Sequence, residues 1–81
     1  MSTPKQTQDE QFMIQLYKMA MGKGNPFSEV DLLAVATTLR MRETATRTIV
    51  RDLAQANFIR KFGDDTLCLT QRGADLVLDL L

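Results

Sequence analysis

Five polar side chains, Thr44, Arg47, Thr48, Arg51 and Gln55, recur at three- and four-residue intervals in the stretch ETATRTIVRDLAQ. On a helix of 3.6 residues per turn they share one narrow sector, which holds two cations and no acid. Arginine's planar fork grips a phosphate or a guanine edge through two parallel hydrogen bonds. Threonine hydroxyls and a glutamine amide serve backbone or bases equally well. Arg42 precedes this helix, and Arg60 and Lys61 follow it, placed to assist with flanking phosphates. The chemistry is that of gripping a polyanion; the plain alternative is a helix face turned to water.

Bond-breaking chemistry has little to work with. The chain contains no histidine and one cysteine, which removes every His-dependent metal or catalytic arrangement and any internal disulfide. Cys68 lies in the apolar stretch TLCLT with no base to activate it, and reads as a structural strand residue. The ten acidic residues fall in no HExxH, P-loop, GxSxG or GxGxxG context, and Asp64 with Asp65 reads as turn chemistry. No catalytic residue, metal site or cofactor is therefore expected, and the protein is read as something other than an enzyme.

The elements that must carry this face fit into one domain. A chain of 81 residues buries only about 60 to 65% of its unfolded surface, too little to divide between two cores. Its 44% hydrophobic and 25% charged composition is that of a folding, globular chain. Net charge is zero, but it is unevenly spread: from Arg40 to Lys61 six basic residues face two acidic ones, so that segment is +4 and the remainder −4. No apolar run approaches the roughly 18 residues of a membrane span, and the polar start MSTPKQTQDEQ lacks the apolar stretch of a secretory signal. The reading is a cytoplasmic protein with no membrane partner.

Residues 1–6 carry no periodicity and are expected to form a flexible tail, with one domain over 7–81. Thr7-x-x-Glu10 has the spacing of a capping box, and Phe12, Leu16, Met19 and Ala20, widened by Met13, Tyr17 and Met21, predict a first helix to about Met21. Gly22, Gly24, Asn25 and Pro26 end it. Ser28 is expected to cap a second helix, with Glu29 and Asp31 in its first turn and Leu32, Val35, Ala36 and Leu39 as its stripe. A break at residues 40–43 precedes a third helix from Thr44 to about Ala56, with Ala45, Ile49, Val50, Leu53 and Ala56 inward and Asn57 left-handed after its end. FIRKF and TLCLT, alternating with period two around Gly63-Asp64-Asp65, predict a β-hairpin with Leu67 and Leu69 in the core.

Thr70 then caps a last helix, in which Ala74, Val77, Leu78 and Leu81 form one stripe. Leu76 and Leu80 lie off that stripe. As a surplus apolar surface beside the broad face of the first helix, they are expected to form a homodimer interface.

The stretch LRMRETATRTIVRDLAQANFIRK, continuing into TLCLTQRGADLVLDLL, resembles the helix-turn-helix, wing and following helix of bacterial winged-helix regulators over about residues 28–81. In such proteins the second helix of the motif ends in a leucine, two or three residues, a glycine and two apolar residues. Leu53, Ala54-Gln55-Ala56, Asn57 and Phe58-Ile59 stand in those places. Asn57 departs from glycine, although asparagine tolerates the left-handed conformation better than most residues. Leu69-Thr70-Gln71-Arg72-Gly73 resembles the Leu-Thr-x-x-Gly after the wing of MarR-like and PadR-like repressors, whose extra dimerisation helices have no counterpart here.

The expected fold is thus α+β, mainly α: a winged helix-turn-helix of three helices, a hairpin wing and a C-terminal helix. The resemblance implies transcriptional regulation through duplex DNA. Arg42, Thr44, Arg47, Thr48, Arg51 and Gln55 would grip or read the duplex, with Arg60 and Lys61 assisting. Winged helices also serve as protein-interaction modules, and zero net charge with an acidic wing tip keeps a protein partner open as the alternative.

Overall fold

The computed structural model describes residues 7–81, and the tail expected over residues 1–6 lies outside them. The described chain is a small α+β fold, mostly helical, with four helices and a three-stranded antiparallel sheet. The order is α1 (Gln8–Gly22), β1 (Val30–Asp31), α2 (Leu32–Leu39), α3 (Glu43–Gln55), β2 (Ile59–Phe62), β3 (Thr66–Leu69) and α4 (Gln71–Leu80).

Helix α1 opens on the expected capping box: the Glu10 N–H donates to Thr7 Oγ1 at 3.2 Å and the Thr7 N–H to Glu10 Oε1 at 2.9 Å. It buries Phe12, Met13, Ile14, Leu16 and Ala20, and it touches α2, α3, α4, β1 and β3. So wide an apolar face belongs to the element at the centre of the core, not to a surface helix. Gly24, at φ 132°, turns the chain just past its end.

The next segment departs from expectation. Ser28 does not cap α2, and Glu29 and Asp31 do not form its first turn. Val30 and Asp31 form a two-residue strand paired with Leu67 and Thr66, and Asp31 is itself the cap, accepting from the Leu33 N–H at 3.1 Å. The strand saturates backbone groups that a helix starting at Ser28 would have used, and the Leu32 N–H is taken by the Asp65 carbonyl at 2.6 Å.

Helices α2 and α3 end alike. Arg40 sits at φ 57°, with its N–H on Thr37 O and the Met41 N–H on Ala36 O; Asn57 sits at φ 66°, with its N–H on Ala54 O and the Phe58 N–H on Leu53 O. Both are Schellman closures built without glycine. The second is the left-handed Asn57 that the sequence predicts.

Helix α3 starts at Glu43 and buries Thr46, Ile49, Val50 and Leu53. Ala45 and Ala56, expected inward, are exposed. Thr46 takes the core position because its hydroxyl is satisfied locally, donating to the Arg42 carbonyl at 2.8 Å, so that only its methyl needs apolar company.

The hairpin follows expectation. Ile59 pairs with Leu69 and Phe62 with Thr66, Gly63 turns at φ 63°, and Ile59, Leu67 and Leu69 point into the core. Strand β3 lies between β1 and β2.

Helix α4 is rotated from its expected facing. Gly73, Ala74 and Val77 are buried, and Leu76 and Leu80 are half-buried against the core, whereas Leu78 (58% exposed) and Leu81 (64%) face outward. The cause is Gly73: a Cβ there would run into the Phe58 carbonyl oxygen, so the helix lies directly on that backbone and draws the Gly73, Leu76, Leu80 side inward.

Candidate interaction face of the third helix

The sector opposite the Thr46, Ile49, Val50, Leu53 stripe is the outer face of α3, and the structure places Thr44, Thr48, Arg51 and Gln55 on it, all exposed. Thr48 donates to the Thr44 carbonyl at 3.2 Å, a bond internal to the helix. Arg51 has a side chain 68% exposed and, among the described residues, pairs only with Asp52, at 3.8 Å. Arg42 is exposed at the N-cap position, where its side chain makes no capping bond.

Arg47 differs from its neighbours. Its Nε donates to Glu43 Oε2 at 2.9 Å, one NH2-group nitrogen lies 2.8 Å from Asp65 Oδ1, and the other donates to the Asp64 carbonyl at 3.3 Å. Every nitrogen of the guanidinium thus has a partner within the molecule. Two partners come from the hairpin turn and one from α3 itself, a turn earlier. The hydrogen bonds to Asp65 and then to Glu43 raise the Arg47 pKa above its usual value. In sequence Arg47 is one of a pair with Arg51; in the fold it is the tie between α3 and the β2–β3 turn.

The structure also separates Arg60 from Lys61. Successive strand residues point to opposite faces of a sheet. Arg60 pairs with Cys68 and lines a shallow depression of about 280 Å³ with Phe27, Phe62 and Cys68, on the face away from the core. Lys61 shares the face of Ile59, on the side of the helices, and is exposed. One strand therefore cannot present both cations to the same surface.

Leu76 and Leu80, assigned from sequence to a dimer interface, pack against the protein's own core. Cys68 is buried on the outer face of β3; burial raises its thiol pKa, Arg60 works against that shift and Glu29 adds to it. Among the described residues no group of three or more His, Cys, Asp or Glu could hold a metal ion, and no helix is long and apolar enough to cross a membrane.

Thr70 caps α4 as the sequence predicts, and what sequence reasoning missed is the rest of the junction it forms at the base of the hairpin. The Thr70 hydroxyl donates to the Asn57 carbonyl at 2.6 Å and accepts the Gly73 N–H at 3.1 Å, while the Thr70 N–H donates to the Phe58 carbonyl at 3.1 Å. The Arg72 guanidinium lies 4.9 Å from the centre of the Phe58 ring. The Leu-Thr-x-x-Gly stretch therefore has a structural task, fastening the end of α3 to the start of α4. Its signal was present in the sequence as a capping threonine with a glycine three residues on.

No family model matches the chain, and neither does any curated protein.

Proposed function

We propose that this protein is a winged helix-turn-helix DNA-binding domain that regulates transcription, with α3 as the helix entering the major groove and the β2–β3 hairpin as its wing. One observation carries the reading. The outer face of α3, the second helix of a pair joined by a tight turn, consists of exposed hydrogen-bonding side chains, Thr44, Thr48, Arg51 and Gln55, that bind nothing outside the helix among the described residues. A helix of 13 residues is about 20 Å long and about 10 to 12 Å wide, dimensions that suit a major groove about 12 Å across.

In this reading Arg51 and Gln55 reach base edges, Thr44 and Thr48 contact backbone or bases, and Arg42 and Lys61 meet phosphates. Arg60, on the far face of the sheet, takes no part. A homodimer would set two copies of α3 one duplex turn apart, about 34 Å. Leu76 and Leu80 are half-buried against the core, and the more exposed Leu78 and Leu81 would extend the dimer contact at the end of the chain described.

Fluorescence anisotropy with random and genomic duplexes at about 50 and 200 mM salt tests the proposal, since counterion release makes affinity fall steeply with salt. Arg51→Ala should weaken binding by roughly 1 to 3 kcal/mol and relax preference at one base pair if it reads a base edge, or weaken all sequences alike if it holds a phosphate.

A second reading, a protein-binding module, is favoured by one feature: Arg47 is neutralised from within, and Asp64 stands exposed at the hairpin tip. No binding tighter than about 10⁻⁴ M at either salt would decide for it.

A further inference from the structure

The DNA-binding reading leaves the acidic hairpin tip unexplained, because a negative tip beside a phosphate-gripping helix opposes the interaction. Turn chemistry does not account for it. The left-handed position is filled by Gly63, and Asp64, with no side-chain hydrogen bond or ion pair among the described residues, leaves the turn unsupported by its carboxylate. Asp65 is the residue with a target: its carboxylate meets Arg47 at 2.8 Å, beside the Asp64 carbonyl and opposite Glu43.

A carboxylate on a guanidinium offers charge-assisted hydrogen bonds of the kind a phosphate offers. The contact is also open to exchange. Arg47 is 38% and Asp65 47% exposed, and surface pairs of this kind are held weakly. One turn along the same helix face, Arg51 has no such partner, so restraint is imposed on one arginine and not on the face as a whole.

We infer that Asp65 is an intramolecular competitor for the anion that Arg47 would otherwise grip, so that the hairpin tip holds DNA affinity down until Arg47 changes partner. This rests on the DNA-binding reading and specifies its regulation: the interface has a built-in restraint, released by whatever takes the place of the Asp65 carboxylate on Arg47.

The test compares Asp65→Asn with Asp64→Asn, which remove the same charge from the same tip, alone and in an Arg47→Gln background. The probe is a random-sequence duplex of about 20 base pairs, followed by anisotropy across a salt series. Asp65→Asn should tighten binding about fivefold more than Asp64→Asn, the scale of one surface charge contact. Its log–log salt slope should steepen by about 0.9, one further phosphate contact, while Asp64→Asn keeps the wild-type slope. With Arg47→Gln the two substitutions should become equivalent. In the unbound protein, the Arg47 Nη2 protons, which meet Asp65, should exchange with water faster in Asp65→Asn than in wild type, a readout independent of DNA.

Equal effects of the two substitutions with unchanged slopes would overturn the inference and leave DNA binding standing. So would an Arg47→Gln loss as large in the wild-type background as in Asp65→Asn, since Arg47 would then already be on the DNA. Arg47 Nη2 protons that exchange equally fast in wild type and Asp65→Asn would remove the tie itself. If wild type and Asp65→Asn both fail to bind at about 50 mM salt, a level at which nonspecific phosphate contacts are strong, the DNA reading falls and the inference with it.

Discussion

At its base the β2–β3 hairpin is joined to α4 through Thr70 and Gly73, and at its tip it is joined to α3 through Arg47. The two junctions differ in physical kind. The base uses neutral backbone carbonyls, a cap hydroxyl and a backbone approach too close for any Cβ, all of short range and unaffected by salt. The tip uses charges in water, with acceptors on an exposed turn, and ions or another anion can take their place. The Asp65 backbone is itself held, its carbonyl accepting from the Leu32 N–H, so it is the side-chain contact with Arg47 that can exchange without loosening the core. The base is therefore where stability is expected to lie and the tip where function is adjusted.

Four measurements can break or sharpen that contrast. The largest effect is expected at Gly73→Ala, which forces its new methyl group into the Phe58 carbonyl and against Leu69. Overpacking against backbone costs about 3 kcal/mol or more, so the urea midpoint should fall sharply. A loss under about 0.5 kcal/mol, the scale of an ordinary surface substitution, would show that the base is as yielding as the tip.

Thr70→Ala comes next. It removes the N-cap of α4 and the donor to Asn57 together, and should cost about 1 to 2 kcal/mol. Thr70→Ser, which retains the hydroxyl, should recover most of that, and failure to do so would assign the effect to the methyl group instead.

Cys68, between the two ends on the outer face, gives a smaller effect that depends on pH. A thiol whose pKa is higher in the fold than in the unfolded chain stabilises the native state fully below the unfolded value of about 8.5, and the contribution is lost as pH rises through the folded value. Thermal midpoints of wild type minus Cys68→Ala, taken from pH 7 to 10, should therefore decline above about pH 8.5. A flat difference would mean that the thiol is hydrated.

The smallest effect on stability is expected for Asp65→Asn. Replacing an exposed acid should leave the denaturation midpoint near that of wild type, and about 1 M salt, where the screening length is only about 3 Å, should erase any residual difference. A large, salt-resistant loss would make the tip a structural junction like the base.

What could be read before folding was whatever a few consecutive residues decide among themselves. The Thr7 capping box, the left-handed Asn57, the turn at Gly63 and the alternation of Leu67 and Leu69 each depend on neighbours within about four positions, and each stands as the sequence predicts. Strand β1 was illegible because two residues carry no period; Val30 and Asp31 are a strand only because Leu67 and Thr66, far along the chain, lie beside them. Thr46 was missed for a related reason. Polarity scales rank threonine as a surface residue, and its burial depends on a bond to the Arg42 carbonyl that only the helix provides.

The candidate face divides in the same way. The sequence by itself determined that Thr44, Thr48, Arg51 and Gln55 share one side of α3, because helical periodicity is a property of the backbone. Only the tertiary structure decided that Arg47 is tied to the hairpin while Arg51 meets only its neighbour Asp52 among the described residues, that Arg60 and Lys61 look in opposite directions across a sheet, and that Leu78 and Leu81 face outward where Leu76 and Leu80 do not. In α4 both leucine pairs flank Val77 closely enough that the period is satisfied either way. The tie is broken by the missing side chain of Gly73 against Phe58. Periodicity specifies which residues of one element travel together; which partner they meet depends on surfaces brought from elsewhere in the chain, where packing and charge pairing act over a few ångströms of space and take no account of separation in sequence.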